Sequence, residues 1–189
     1  MHHWKKEVFS VPNLLSLFRL LLIPVYTVLF LRASRPSDYW LAAGVLALST
    51  LTDLVDGKIA RRFHMVTRLG IILDPIADKA TQFTLLVCLA VRHSVLWYLL
   101  ALFVVKEGFM LIVGLVNLHR KKMLSGALLS GKVCTTLLFV SMIILVLFPD
   151  ISQGAVNFLV SICVVAMLLA FADYIMAYFG KNKKVHDIT

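Results

Sequence analysis

Hydrophobic residues in this chain come in six runs separated by short polar connections, at about 12–31, 39–60, 69–91, 95–118, 132–148 and 153–179. About 20 apolar residues carry a helix across the hydrocarbon core of a bilayer. Each run is therefore predicted as a transmembrane helix, and the fold class as all-α integral membrane. The first run keeps spanning length even though it contains Arg19 and Pro24. No small-residue cleavage pattern follows it, so it is not expected to be removed as a signal peptide. Before it, Trp4 to Ser10 sets Trp4, Val8 and Phe9 beside Lys5 and Lys6, the pattern of a short interfacial helix. Pro12 suits the first turn of the span that follows. With no soluble segment or linker between the runs, residues 1–189 read as one membrane domain.

Composition agrees with this pattern. The 189 residues are 60% hydrophobic, and the mean hydropathy is +0.90. A soluble fold of this size leaves too much surface in water to hide so much apolar area. The net charge of +9 would suit a nucleic-acid partner if it lay on one soluble face, but the basic residues stand at the ends of the apolar runs. Anionic lipid headgroups are the expected partner, and nucleic acid is not. One side of the membrane collects Lys5 and Lys6, then Arg61, Arg62 and Arg68, then Arg120, Lys121 and Lys122, then Lys181, Lys183 and Lys184. The other side has Arg32, Arg35 and Arg92. This bias predicts that both termini are cytoplasmic. Cys88, Cys134 and Cys163 lie in apolar runs without ligand or disulfide spacing and are expected to be core residues.

The acidic residues change the picture from a membrane protein to a candidate enzyme. Of ten, four fall between positions 53 and 78: Asp53, Asp56, Asp74 and Asp78. A carboxylate at membrane depth costs roughly 2.5–3.5 kcal/mol on insertion scales, and four together also repel one another. Something positive must sit among them. The first pair is spaced three apart and the second four, so each pair projects from one helix face. The first pair closes one span and the second opens the next across a short basic loop, so all four are expected to converge at the cytoplasmic surface. Oxygen-only ligation suits Mg²⁺, Mn²⁺ or Ca²⁺ and not zinc. Two such ions sharing carboxylates can clamp a phosphate under attack. Gly57 and Gly70 would let a ligand or facing helix approach the backbone, and Arg61 can offer phosphate a bidentate fork.

The stretch Asp53-x-x-Asp56-Gly57-x-x-Ala60-Arg61, eight residues, Gly70-x-x-x-Asp74-x-x-x-Asp78 resembles the signature of the CDP-alcohol phosphatidyltransferases, complete and with the spacing intact. The resemblance implies six membrane helices and a homodimer whose cavity opens to the cytosol and inner leaflet of a bacterial-type cytoplasmic membrane. It implies that Asp53, Asp56, Asp74 and Asp78 bind two divalent ions, Mg²⁺ or Mn²⁺, holding the diphosphate of CDP-diacylglycerol. It further implies that Asp78 is the general base on the acceptor hydroxyl, and that Gly57, Ala60, Arg61 and Gly70 bind the CDP-lipid. CMP would leave, with phospholipid synthesis as the outcome. The opening VPNLLSLFRLLLIPV, with Asn13, Ser16 and Arg19, and the segment DPIADK resemble the branches that use glycerol-type acceptors. One of these converts phosphatidylglycerol to cardiolipin, the other glycerol 3-phosphate to phosphatidylglycerophosphate. The glycerol 3-phosphate branch carries Arg-Glu and a further arginine in its fourth span, where this chain has Lys106-Glu107 and Gly114. Both acceptors remain open at this point.

Outside the signature, Lys106 lies mid-span and is expected in the acceptor site, together with Lys132 and Arg120. Asp173, beside Tyr174 in the last run, is expected to hydrogen-bond between helices. Other readings weigh less. A cation transporter would spread its acids across the bilayer and often repeat its halves. A structural protein with a decayed site would not keep the signature whole. The same chemistry on inositol phosphate or serine is the alternative within the family.

Overall fold

A computed structural model of the chain describes residues 11–62, 68–119, 122–124, 129–179 and 185–187, with side chains at 53–62 and a few element ends outside that description. Six helices follow in order: α1 Val11–Arg32, α2 Pro36–Arg62, α3 Arg68–Arg92, α4 Leu96–His119, α5 Leu129–Leu147 and α6 Gln153–Phe179. Their bounds agree with the six apolar runs to within about four residues. The interfacial helix expected at Trp4–Ser10, and Arg120, lie outside the described residues.

The described residues are helical apart from one short ribbon. A ribbon of two three-residue strands, β1 Lys122–Leu124 and β2 Val185–Asp187, pairs antiparallel with Met123 opposite His186. These segments lie beyond the ends of α4 and α6, where neither helix satisfies their backbone groups, and cross-strand pairing meets that need.

Four helices contain windows long and apolar enough to cross a membrane: Asn13–Arg32, Leu96–Asn117, Leu129–Leu147 and Gln153–Tyr178. The other two described helices, α2 and α3, are those that carry the aspartates. In lipid a span has no water to satisfy its backbone, so it must close its own hydrogen bonds as a helix. Its hydroxyls follow the same rule. Thr27, Thr135 and Ser161 each donate to the carbonyl four residues earlier, at 2.8–2.9 Å. Apolar side chains face outward throughout. Leu21, Trp40, Leu41, Leu111 and Phe158 are all more than 60% exposed, a surface that suits lipid and not water.

The described helices fall into two compact units. The first holds α1, α2 and α3 as far as Leu89, with Val146–Asp150. Here α1 and α2 run antiparallel after a three-residue turn, fastened by aromatic stacking of Tyr26 on Phe30 and of Phe30 edge-on to Tyr39, with centroids 5.7 and 5.3 Å apart. The Tyr39 hydroxyl donates to the Ala33 carbonyl at 3.3 Å. Asp38 Oδ2 accepts the amides of Ser34 and Arg35 at 3.0 and 2.9 Å, satisfying donors exposed at the start of α2. The second unit holds the rest: α4, α5 as far as Leu145, α6 and the ribbon. Phe109 of α4 meets Phe171 of α6 edge-on at 5.1 Å. Cys88, Cys134 and Cys163 are buried free thiols, as their apolar settings led one to expect.

Candidate active site

The polar positions of α1 build the site. Asn13, Ser16 and Arg19 recur every third residue and so share one helical face. Their exposures are 2%, 0% and 2%, while Leu14, Phe18 and Leu21 beside them are exposed. A span that buries an arginine and turns leucines outward has its polar face toward protein.

Two residues of that face meet α3. The Ser16 hydroxyl donates to Asp74 Oδ1. Arg19 Nη1 donates to Asp78 Oδ1 and forms an ion pair with it. Asp74 and Asp78 lie one helical turn apart, so one face of α3 presents both carboxylates to one face of α1. Gly70 is buried one turn before Asp74 on that same row. The Asp78 side chain remains 46% exposed even though the arginine side chain behind it is 3% exposed. The carboxylate is thus held by the buried arginine while part of it reaches the surface.

Asp53, Asp56, Gly57, Ala60 and Arg61 belong to α2, and their side chains lie outside the described residues. Among the described residues no group of three or more His, Cys, Asp or Glu gathers. The donors present fit a hard divalent ion: Asp74 and Asp78 offer carboxylate oxygens at helical spacing, each steadied by a donor from α1. Those two residues would hold such an ion.

The second unit places the expected acceptor residues by itself. Lys106 is buried in α4, and its Nζ lies 2.7 Å from Glu107 Oε1, the two side chains being 4% and 19% exposed. The lysine is therefore neutralised by its neighbour. Lys132 is exposed in the first turn of α5. Gly131 beside it is buried because α6 comes close: a Cβ there would lie 2.8 Å from the Tyr174 hydroxyl oxygen. Asp173 departs from expectation. It is exposed, and it is Tyr174 that turns inward.

In the sequence Asn13, Ser16 and Arg19 belong to the stretch that carries the resemblance, without an assigned role. The signal that would have given Ser16 and Arg19 a role was present, since a polar stripe at three-residue spacing with an arginine at membrane depth demands a buried partner.

Helices sheathed in apolar side chains, with two carboxylates on one face of α3 fastened by an arginine and a hydroxyl, define a membrane protein. The family model for CDP-alcohol phosphatidyltransferases matches residues 9–177, and the chain belongs to that family. It is 39% identical over 117 residues to a cardiolipin synthase (CMP-forming) of Streptomyces coelicolor, covering 60% of this chain and 54% of that protein. It is 41% identical over 88 residues to a CDP-diacylglycerol–glycerol-3-phosphate 3-phosphatidyltransferase of Pseudomonas fluorescens, covering 47% and 45%. A protein of the same name from Escherichia coli is 38% identical over 90 residues, with 48% of each chain covered. The chain spans about half the length of the curated relatives it matches.

Proposed function

We propose that this protein transfers the phosphatidyl group of CDP-diacylglycerol to the hydroxyl of a glycerol-type acceptor and releases CMP. In this reading six helices cross a bacterial-type cytoplasmic membrane, both termini and the site face the cytoplasm, and the protein works as a homodimer. The carrying observation is the pair of carboxylates on α3, Asp74 and Asp78, presented together and steadied by Ser16 and Arg19. It joins the intact run of signature residues from Asp53 to Asp78.

Each residue then has a task. Asp53, Asp56, Asp74 and Asp78 hold two divalent ions, which supply charge neutralisation for the diphosphate when bound. Gly57, Ala60, Arg61 and Gly70 seat the CDP moiety, with Arg61 giving its fork to phosphate oxygens. Asp78 takes the proton of the acceptor hydroxyl through its exposed side. The acceptor oxygen forms a bond to the lipid-side phosphorus, the bond to the bridging oxygen breaks, and CMP carries away that oxygen.

Phosphatidylglycerol is the acceptor this reading favours. Glycerol 3-phosphate brings nearly two negative charges and wants unneutralised cations, whereas the Lys106 ammonium already lies against Glu107. Phosphatidylglycerol has one diester charge and brings its own apolar tails. The name of the Streptomyces coelicolor relative supports this choice. Glycerol 3-phosphate is the second reading, favoured by exposed Lys132 and by the names of the other two relatives.

The test is direct. Purified protein in lipid nanodiscs receives CDP-diacylglycerol with phosphatidylglycerol, glycerol 3-phosphate, inositol phosphate or serine. CMP release and cardiolipin are expected with phosphatidylglycerol, and both should stop with EDTA and return with Mg²⁺ or Mn²⁺. Phosphatidylglycerophosphate as the main product moves the acceptor to the second reading. Absence of CMP release with every acceptor, or turnover undiminished after verified metal removal, refutes the proposal.

A further inference from the structure

Arg19 lies inside the apolar window of α1 and is 2% exposed. A charge at such depth has to pair or line a wet cavity. Its Nη1 pairs with Asp78 Oδ1, and the Asp78 side chain is 46% exposed. The neighbouring contact differs in kind. Ser16 gives Asp74 a neutral hydroxyl.

We infer that Arg19 is a built-in counter-cation of the acidic site, holding Asp78 when no divalent ion is bound and opposing the ion that binds the same carboxylate. The inference rests on the proposed reading of Asp78 as a metal ligand. Asp74 and Asp78, presented on one face of α3, repel one another, and a guanidinium supplied from α1 offsets part of that repulsion in the metal-free protein. A divalent ion bound by Asp78 would share that carboxylate with the guanidinium, and the two positive charges would repel. Contact with Arg19 and occupancy by metal are therefore negatively coupled. Coupling is reciprocal, so deleting the guanidinium must tighten the metal. Arg19 is in this sense a positioning residue: it sets how firmly the site grips its ion and keeps Asp78 in place before the ion arrives. Ser16 carries no charge and has no such antagonism with metal.

The experiment measures Mn²⁺ binding to the full chain in detergent, by titration calorimetry and by electron paramagnetic resonance of free Mn²⁺. Arg19→Met is expected to bind Mn²⁺ about tenfold more tightly than the wild type, a gain of about 1.4 kcal/mol. Its metal-free melting temperature should fall, and Mn²⁺ should raise it by more than in the wild type. Arg19→Lys, which keeps the charge, and Ser16→Ala, which removes only a neutral donor, should stay within about threefold of wild-type affinity. Should Arg19→Met fail to fold without metal, Arg19→Gln carries the measurement, since it keeps a donor to Asp78 and loses the charge. Unchanged or weaker Mn²⁺ affinity in both neutral variants overturns the counter-cation role. Equal Mn²⁺ binding by wild type and Asp78→Asn instead overturns the metal reading beneath it, so the two failures are distinct.

Discussion

The Lys106–Glu107 pair gives a prediction that depends on no assumption about the reaction. The two side chains lie 2.7 Å apart with exposures of 4% and 19%. Deleting one partner of a buried pair leaves the other as an uncompensated charge, at a cost of about 3–5 kcal/mol. Replacing both with apolar residues of like size is often neutral or stabilising by about 1–4 kcal/mol, because desolvation of the pair consumes most of its attraction. Glu107 retains some exposure, so the low end applies to Glu107→Leu, which strands Lys106: about 3 kcal/mol. Lys106→Met removes the ammonium from the less buried glutamate and should cost less, about 2 kcal/mol. The double variant Lys106→Met/Glu107→Leu should return to within about 1 kcal/mol of wild type. At this chain length each kcal/mol moves the melting temperature by roughly 2–4 °C, so Glu107→Leu should melt roughly 6–12 °C lower. The assay is thermal unfolding of the four proteins in one detergent, treated as a double-mutant cycle. Single variants that each change stability by less than 1 kcal/mol, with effects that simply add, would show that the pair is not buried as described.

Three further outcomes are expected. Asp78→Asn should lower kcat for transfer by about 10²–10⁴ while leaving the protein folded, since asparagine keeps the shape but accepts no proton; near-normal turnover removes Asp78 from the base role. Gly131→Val should destabilise by about 1–3 kcal/mol, because even a Cβ would lie 2.8 Å from the Tyr174 oxygen; Gly131→Val combined with Tyr174→Phe should recover part of that in a denaturation assay. The amides of Arg35 and Ser34 hold the Asp38 carboxyl below its ordinary range. A depressed folded value means its contribution to stability is present above the unfolded carboxylate range and lost as pH falls through the folded value. Asp38→Asn should therefore lower the melting temperature at pH 7 and converge with wild type toward pH 3, and a constant offset across that range would count against the contact.

Much of the architecture was legible without coordinates. Length and continuity of apolar runs located six helices, and for the four long and apolar enough to cross a membrane the reason is that in lipid such a segment has no alternative to closing its own hydrogen bonds. The spacing of Asp74 and Asp78 placed both on one face of α3, since helical periodicity is a local property. The order and spacing of the residues from Asp53 to Asp78 pointed to the family, and the match over residues 9–177 agrees.

Partners across the fold were decided only by tertiary structure. The sequence demanded a positive group near the acids, but many arginines and lysines could have answered. Packing of α1 on α3 chose Arg19 for Asp78, 59 positions away, and Ser16 for Asp74. Lys106 looked like a cation available to an anionic acceptor until its neighbour was found to neutralise it. Asp173 and Tyr174 are adjacent, and a rotation of 100° per residue separates an exposed position from a buried one. The pitch of α6 against α5 turned the tyrosine inward and left the aspartate outside. Local pattern determines which face a residue occupies relative to its own helix, whereas what that face meets depends on contacts between residues far apart in sequence, which no short window contains.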